Sequence, residues 1–244
     1  MARSLDFSAV WSDTTAMMRQ HQEAIIAIAG LLILVPGWAS GYFVPAPDIE
    51  GLKSPVEILA AFSQNFTDNW MISLPLSILS FFGGIGVLAI LLRPDMERVG
   101  DALLFALKLL PIYFAVSLLT GLMTTLGVFA LFVGLFYLSG RFMPVGPALV
   151  AEPENGVLGS IKRGWDLTRG LGWKCFLLFF TIMLVAFISI SVIDVVVGTL
   201  CKLIVGPEGV PLVQHFVSAL TGTLLSVTIL ALQAAIYRHL QRQD

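Results

Sequence analysis

The chain has 244 residues, of which 57% are hydrophobic and only 12% charged, with a mean hydropathy of +0.89. Soluble domains run nearer about 45–50% apolar and about 25% charged, so this composition excludes a water-soluble enzyme, a disordered tail and a nucleic-acid binder. The net charge of -2 is the balance of 14 basic and 16 acidic residues, unevenly spread along the chain.

A polar stretch precedes the first apolar run. Within it Phe7, Val10, Trp11, Thr14, Met17 and Met18 recur at helical spacing, which predicts an interfacial helix over residues 5–20. The stretch lacks the short apolar core of a cleaved signal peptide, so the apolar run after it reads as a retained span. Crossing a bilayer core of about 30 Å takes about 20 apolar residues. Runs over 24–44, 70–92, 171–200 and 212–236 meet that length directly. Residues 102–140 are almost uncharged and about twice as long as one span needs. They read as two helices, 102–121 and 123–140, with a turn near Thr120-Gly121 and Gly127 as the other candidate break. The fold class is therefore all-α: a polytopic membrane protein of six spans in one membrane domain, residues 1–244.

Orientation follows from the positive-inside rule. With both termini in the cytoplasm, Arg3, Arg19, Arg93, Arg98, Lys108, Arg141, Lys162, Arg163, Arg169, Lys174, Arg238 and Arg242 share that side. Only Lys53 and Lys202 fall outside, beside Asp48, Glu50, Glu57, Asp68 and Glu208. Trp38, Tyr42 and Trp70 mark the outer boundary, and Tyr137, Trp173 and Tyr237 the inner one. The expected location is a bacterial cytoplasmic membrane.

Two connecting segments carry structure of their own. In the outer loop, Ser54-Pro55-Val56-Glu57 is a capping box with proline at the first helical position. Val56, Leu59, Phe62 and Phe66 follow, predicting a short outer helix resting on the bundle. On the inner side, residues 156–170 set Val157, Leu158, Ile161, Trp165 and Thr168 against Lys162, Arg163, Asp166 and Arg169, with Gly170 as the cap. A basic amphipathic helix beside a span belongs in the headgroup layer, with its cations toward anionic lipid. Its charges either serve orientation alone or form a lipid or partner site. The candidate site residues are Arg141, Glu152, Lys162, Arg163, Trp165, Arg169, Trp173 and Lys174, with Glu152 placed to pair with one of the arginines.

The run Pro147-Ala-Leu-Val-Ala-Glu152, followed by Ser160-Ile-Lys-Arg-Gly-Trp165-Asp-Leu-Thr-Arg-Gly170 and Trp173, resembles a signature of a known group. It is similar to the membrane domain associated with bacterial glycerophosphoryl diester phosphodiesterases, and to stand-alone membrane proteins of the YciC type. Gly164 stands where that pattern has serine. The resemblance implies an amphipathic entry segment and about six spans. It implies no phosphodiesterase activity, which belongs to a soluble barrel that this sequence does not contain.

Ionisable groups within the spans are few. Lys108 has a stem long enough to snorkel, and Asp194 lies near the outer end of its span. His21, His215 and His239 are interfacial and scattered, and no H-E-x-x-H, C-x-x-C or phosphate-loop motif occurs. Cys175 and Cys201 are about 39 Å apart along one helix and cannot pair. No catalytic residue, metal or cofactor is expected. Gly37-x-x-x-Gly41, Ala130-x-x-x-Gly134, Ser218-x-x-x-Gly222 and Ala231-x-x-x-Ala235 allow close helix approach, and Pro36, Pro75 and Pro111 are candidate kinks.

Three functions are compatible with this pattern. The leading one is a non-enzymatic membrane protein that binds anionic lipids or a protein partner through its basic helix, in envelope or lipid homeostasis or as an accessory subunit. The alternative is a carrier or exporter of a small amphipathic molecule, which requires a continuous cavity lined by Ser80, Ser117, Thr181, Ser189 or Thr223. The third, an enzyme acting on lipid headgroups, requires His21, Glu23, Glu152 and His239 to converge.

Overall fold

The computed structural model describes residues 5–49, 51–52, 54–96, 98–127, 133–204 and 210–243; helices dominate them, and no strand occurs among them. Six helical stretches are long and apolar enough to cross a membrane: Gln22–Phe43, Val56–Leu92, Val99–Leu126, Val133–Ala151, Gly172–Leu200 and Leu212–Gln241. The protein is an all-α, multi-pass membrane protein. Arg3, Glu50, Lys53, Ala130 and Glu208 lie outside the described residues, as do the side chains of Cys201 and Lys202.

Helix α1 (Phe7–Gln20) is capped by the Asp6 carboxylate, which accepts from the Ser8 and Ala9 amides. Its stripe divides. Val10, Thr14 and Met17 are buried, with α1 packed on the last helix, while Phe7 and Trp11 stay exposed. The first span is α2 (Gln22–Ala29), a π turn (Gly30–Leu34) and α3 (Val35–Phe43). The π turn sits just before Pro36, whose missing N–H breaks the i→i−4 ladder there. Gly37 and Gly41 of α3 face Ala219 and His215 of the last helix, so that small-residue pair serves internal packing.

Helix α4 (Pro55–Leu92) corrects the outer loop. The capping box forms as expected, but no separate outer helix follows, because α4 runs unbroken for 38 residues. The polar residues between Phe62 and Trp70 do not stop it. Thr67 Oγ1 donates to the Ser63 carbonyl and Asn69 Nδ2 to the Asn65 carbonyl, so these side chains bond along the helix. Helix α5 (Val99–Leu126) likewise passes the Thr120-Gly121 position, with Thr120, Thr124 and Thr125 donating to carbonyls one turn back. The break falls at Gly127, which packs on the backbone of Gly134. The fourth span therefore starts later than residue 123 among the described residues, with α6 (Val133–Phe142). Pro75 and Pro111 lie inside continuous helices.

Helix α7 (Val145–Ala151) holds the apolar half of the family-like run. It is not a surface loop: Val145, Ala148, Leu149 and Val150 are almost fully buried, and α7 packs against α4, α5 and α8 (Gly156–Leu167). Gly164 of α8 has its Cα against Val145, which leaves no room for the serine of the family pattern unless α8 shifts. Helix α9 (Gly172–Ile204) lies at the periphery on α6 and α10 (Val210–Gln241), its apolar residues facing outward.

Charged side chains collect where both ends of the chain meet. Arg242 Nη1 lies 3.5 Å from Asp13 Oδ2, joining the C-terminus to α1. Lys108 is exposed near this basic end, and toward the other end Asp194 accepts from Ser218 Oγ at 3.3 Å.

Gly140 on α6 lies directly against Gly172 and Phe176 on α9. A side chain at Gly140 meets α9 backbone, which cannot yield as a flexible side chain would. Gly140→Val is expected to cost about 1–3 kcal/mol or more. A thermal-shift measurement in mild detergent, compared with Gly121→Ala at an open position, checks this.

Candidate functional site

The basic end is organised around Arg141, which the close α6–α9 approach positions. Its methylene carbons lie against Gly172, and its guanidinium crosses to the C-terminus of α8. Nη1 donates to the Thr168 carbonyl at 2.9 Å and Nη2 to the Trp165 carbonyl at 2.8 Å. These belong to the carbonyls a helix end leaves without amide partners, where a cation is also favoured by the helix dipole. The guanidinium stacks 3.9 Å from the Trp165 ring centroid, and Tyr137 lies 5.8 Å away. Thr168 Oγ1 lies 3.1 Å from the Arg141 carbonyl and 2.8 Å from the Gly164 carbonyl. Gly170, at φ 78°, then turns the chain into α9. Arg141 is only 3% exposed, so it binds α8 and not an external ligand.

Glu152 closes the other end of the same segment. Its Oε1 accepts from the Tyr237 hydroxyl at 2.7 Å and lies 3.5 Å from Arg163 Nε, while Oε2 accepts from Asn155 Nδ2. One carboxylate thus joins the ends of α7 and α10 to α8. The expected Glu152–arginine pair is with Arg163, and the partner that sequence reasoning missed is Tyr237.

The remaining candidates face outward. Lys162, Arg169 and Lys174 are exposed, as are Trp165 and Trp173. Trp173 stacks at 6.0 Å on Tyr137 and 6.1 Å on Phe176, which fixes its ring at the start of α9. Of the eight residues singled out in the sequence, Arg141, Glu152 and Arg163 hold α8 in place, and the other five are exposed along α8, the turn after it and the start of α9.

A neighbouring hollow of about 410 Å³ is lined by His21, Arg93, Tyr237 and Arg238. Arg93 pairs with Asp95 at 3.1 Å and stacks on Phe105 at 4.7 Å. Burial, reinforced by Arg238, holds His21 below the ordinary histidine range. Among the described residues no three His, Cys, Asp or Glu side chains stand within reach of one metal ion, and His239 bonds Gln243. The convergence that the headgroup-enzyme reading requires is not formed there.

Nor do the carrier residues line one passage. Ser80 borders a recess between α3, α4 and α10, whereas Thr181 and Ser189 border a separate cleft between α9 and α10. Ser117 and Thr223 line neither.

The fold and this charged end define a polytopic membrane protein with an amphipathic helix immobilised at one end. No family model, curated protein or solved structure matches the chain, so the likeness to the phosphodiesterase-associated membrane domain rests on the residues quoted for it.

Two measurements test this geometry. Arg141→Met leaves the carbonyls of Trp165 and Thr168 without their donors and is expected to cost about 2–4 kcal/mol, with Arg141→Lys intermediate; detergent thermal shifts read both. His21 binds a proton less readily in the folded chain than in the unfolded one, where its pKa is about 6.5. The unfolded state therefore takes up more protons below that pH, and stability falls as pH drops through the window beneath about 6.5. A melting-temperature series from pH 7.5 to 5 should show this loss, and His21→Asn should flatten it.

Proposed function

We propose that the protein is a non-enzymatic protein of the bacterial cytoplasmic membrane, with its basic end inside, that gathers anionic lipid headgroups on α8. The observation that carries this reading is the exposed set of Lys162 and Trp165 on α8, Arg169 on the turn after it, and Trp173 and Lys174 at the start of α9, around a helix held by Arg141 and Glu152. Cations near a membrane surface each contribute about 1 kcal/mol of attraction to anionic lipid, and indole rings settle at the same level. Holding the helix in advance removes the ordering cost that a free amphipathic segment meets on binding. A role in envelope or lipid homeostasis follows from this reading, and Leu158, 74% exposed on α8, adds an apolar contact for the bilayer.

The test is the triple variant Lys162→Gln/Arg169→Gln/Lys174→Gln, which spares Arg141 and Arg163 because they hold α8. Lipids retained after mild-detergent purification are quantified by mass spectrometry. The ratio of anionic to zwitterionic lipid is expected to fall at least threefold against wild type. An unchanged ratio assigns these cations to orientation alone. A stoichiometric protein lost in the variant, in place of lipid, assigns them to an accessory-subunit interface.

A further inference from the structure

The recess between α3, α4 and α10 has a volume of about 510 Å³. Its lining includes five hydroxyl-bearing residues from four helices: Ser40, Ser77, Ser80, Ser226 and Tyr113. None of the five hydroxyls has a hydrogen-bond partner among the described residues. The cleft between α9 and α10 shows the opposite. There Thr181, Ser189, Thr221 and Thr228 each donate to a carbonyl of their own helix. In a low-dielectric setting the second arrangement is the ordinary one, because it satisfies the hydroxyl without a ligand. The recess instead keeps five donors and their acceptor lone pairs unused.

Its position and its neighbour narrow the ligand. Ser80 lies twelve residues before the end of α4 at Leu92, about 18 Å from the basic end and past the middle of a bilayer core of about 30 Å. No acidic or basic side chain lines it, so a charged group there would have no counter-charge. Ser77 and Phe81 also line an adjoining cleft of about 500 Å³ between α4 and α5, which is otherwise apolar and includes Leu74, Ile78 and Phe114. The recess is thus an uncharged, largely apolar hollow, walled also by Ile33, Leu76, Ile85 and Leu230, into which a few hydroxyls are set, and with the apolar cleft beside it the pair has the outline of a neutral amphiphile.

We infer that this pair of cavities binds an uncharged acylglycerol-like lipid, with its hydroxyl and ester oxygens among the serines and Tyr113 and an acyl chain in the cleft. The site is separate from the basic face and stands or falls independently of it.

The experiment uses the full chain in phosphatidylcholine nanodiscs with two photoactivatable probes of identical acyl chains, a diacylglycerol and a phosphatidylglycerol. Labelled peptides are mapped by mass spectrometry. The neutral probe should label residues 74–85 and 110–114, with at least fivefold competition by unlabelled diacylglycerol. Ser77→Ala/Ser80→Ala/Ser226→Ala should reduce that labelling at least fivefold. Tyr113→Phe, which removes one hydroxyl and little volume, should reduce it about twofold. Thr181→Ala/Ser189→Ala and the α8 charge variant should leave it unchanged. Equal, uncompeted labelling by both probes, or wild-type labelling of both hydroxyl-deleted variants, overturns the assignment.

Discussion

The basic end depends on one interaction, the guanidinium of Arg141 closing over the last carbonyls of α8. A buried arginine without a carboxylate partner is expensive, because it leaves water without a counter-ion. Here the helix end stands in for that counter-ion, with two carbonyl bonds, an indole face and the negative end of a dipole. The arrangement is reciprocal. Arg141 satisfies α8, and α8 stabilises the charge on Arg141. Gly140 and Gly172 make it possible by bringing α6 and α9 close enough for the arginine to reach across.

Once α8 is fixed at Arg141 and at Glu152, its other charges acquire a definite direction. Arg163 is drawn in toward Glu152, and Lys162 and Arg169 are left outside. The chain thus separates two kinds of basic residue that look alike in sequence: those that hold the segment and those that remain free to meet a surface. The same division governs the hydroxyls deeper in the bundle. Most bond within their own helices, and a small group around α4 does not.

Much of this was legible in the sequence, and the rest fails for identifiable reasons. Hydropathy and length find the six spans, and the capping box at Ser54 marks the start of α4 to the residue. The continuation of α4 past residue 66 is not visible, because the polar Thr67, Asp68 and Asn69 interrupt the apolar pattern, and only the structure shows Thr67 and Asn69 bonding to the preceding turn. The Thr120-Gly121 turn fails in the same way. At the basic end the amphipathic pattern of α8 locates the site, but periodicity cannot distinguish a buried arginine from an exposed one. That depends on α6, whose approach is set by glycines distant in sequence. Ser77, Ser80 and Gly84 do recur on one face of α4, which is the signal for the recess. Their partners Ser40, Tyr113 and Ser226 come from three other helices and have no shared spacing.

Helix α7 carries a consequence for traffic through the molecule. The Tyr113 hydroxyl that borders the recess rests on Gly146, and below it Leu149 and Val150 are sealed among α4 and α5. The recess therefore has a floor toward the basic end. A lipid bound there would arrive by lateral diffusion within the bilayer, and its occupancy would follow the mole fraction of that lipid in the surrounding leaflet, not its concentration in water. A protein that took up such a lipid would sample the composition of the membrane around it as a solute samples its solvent.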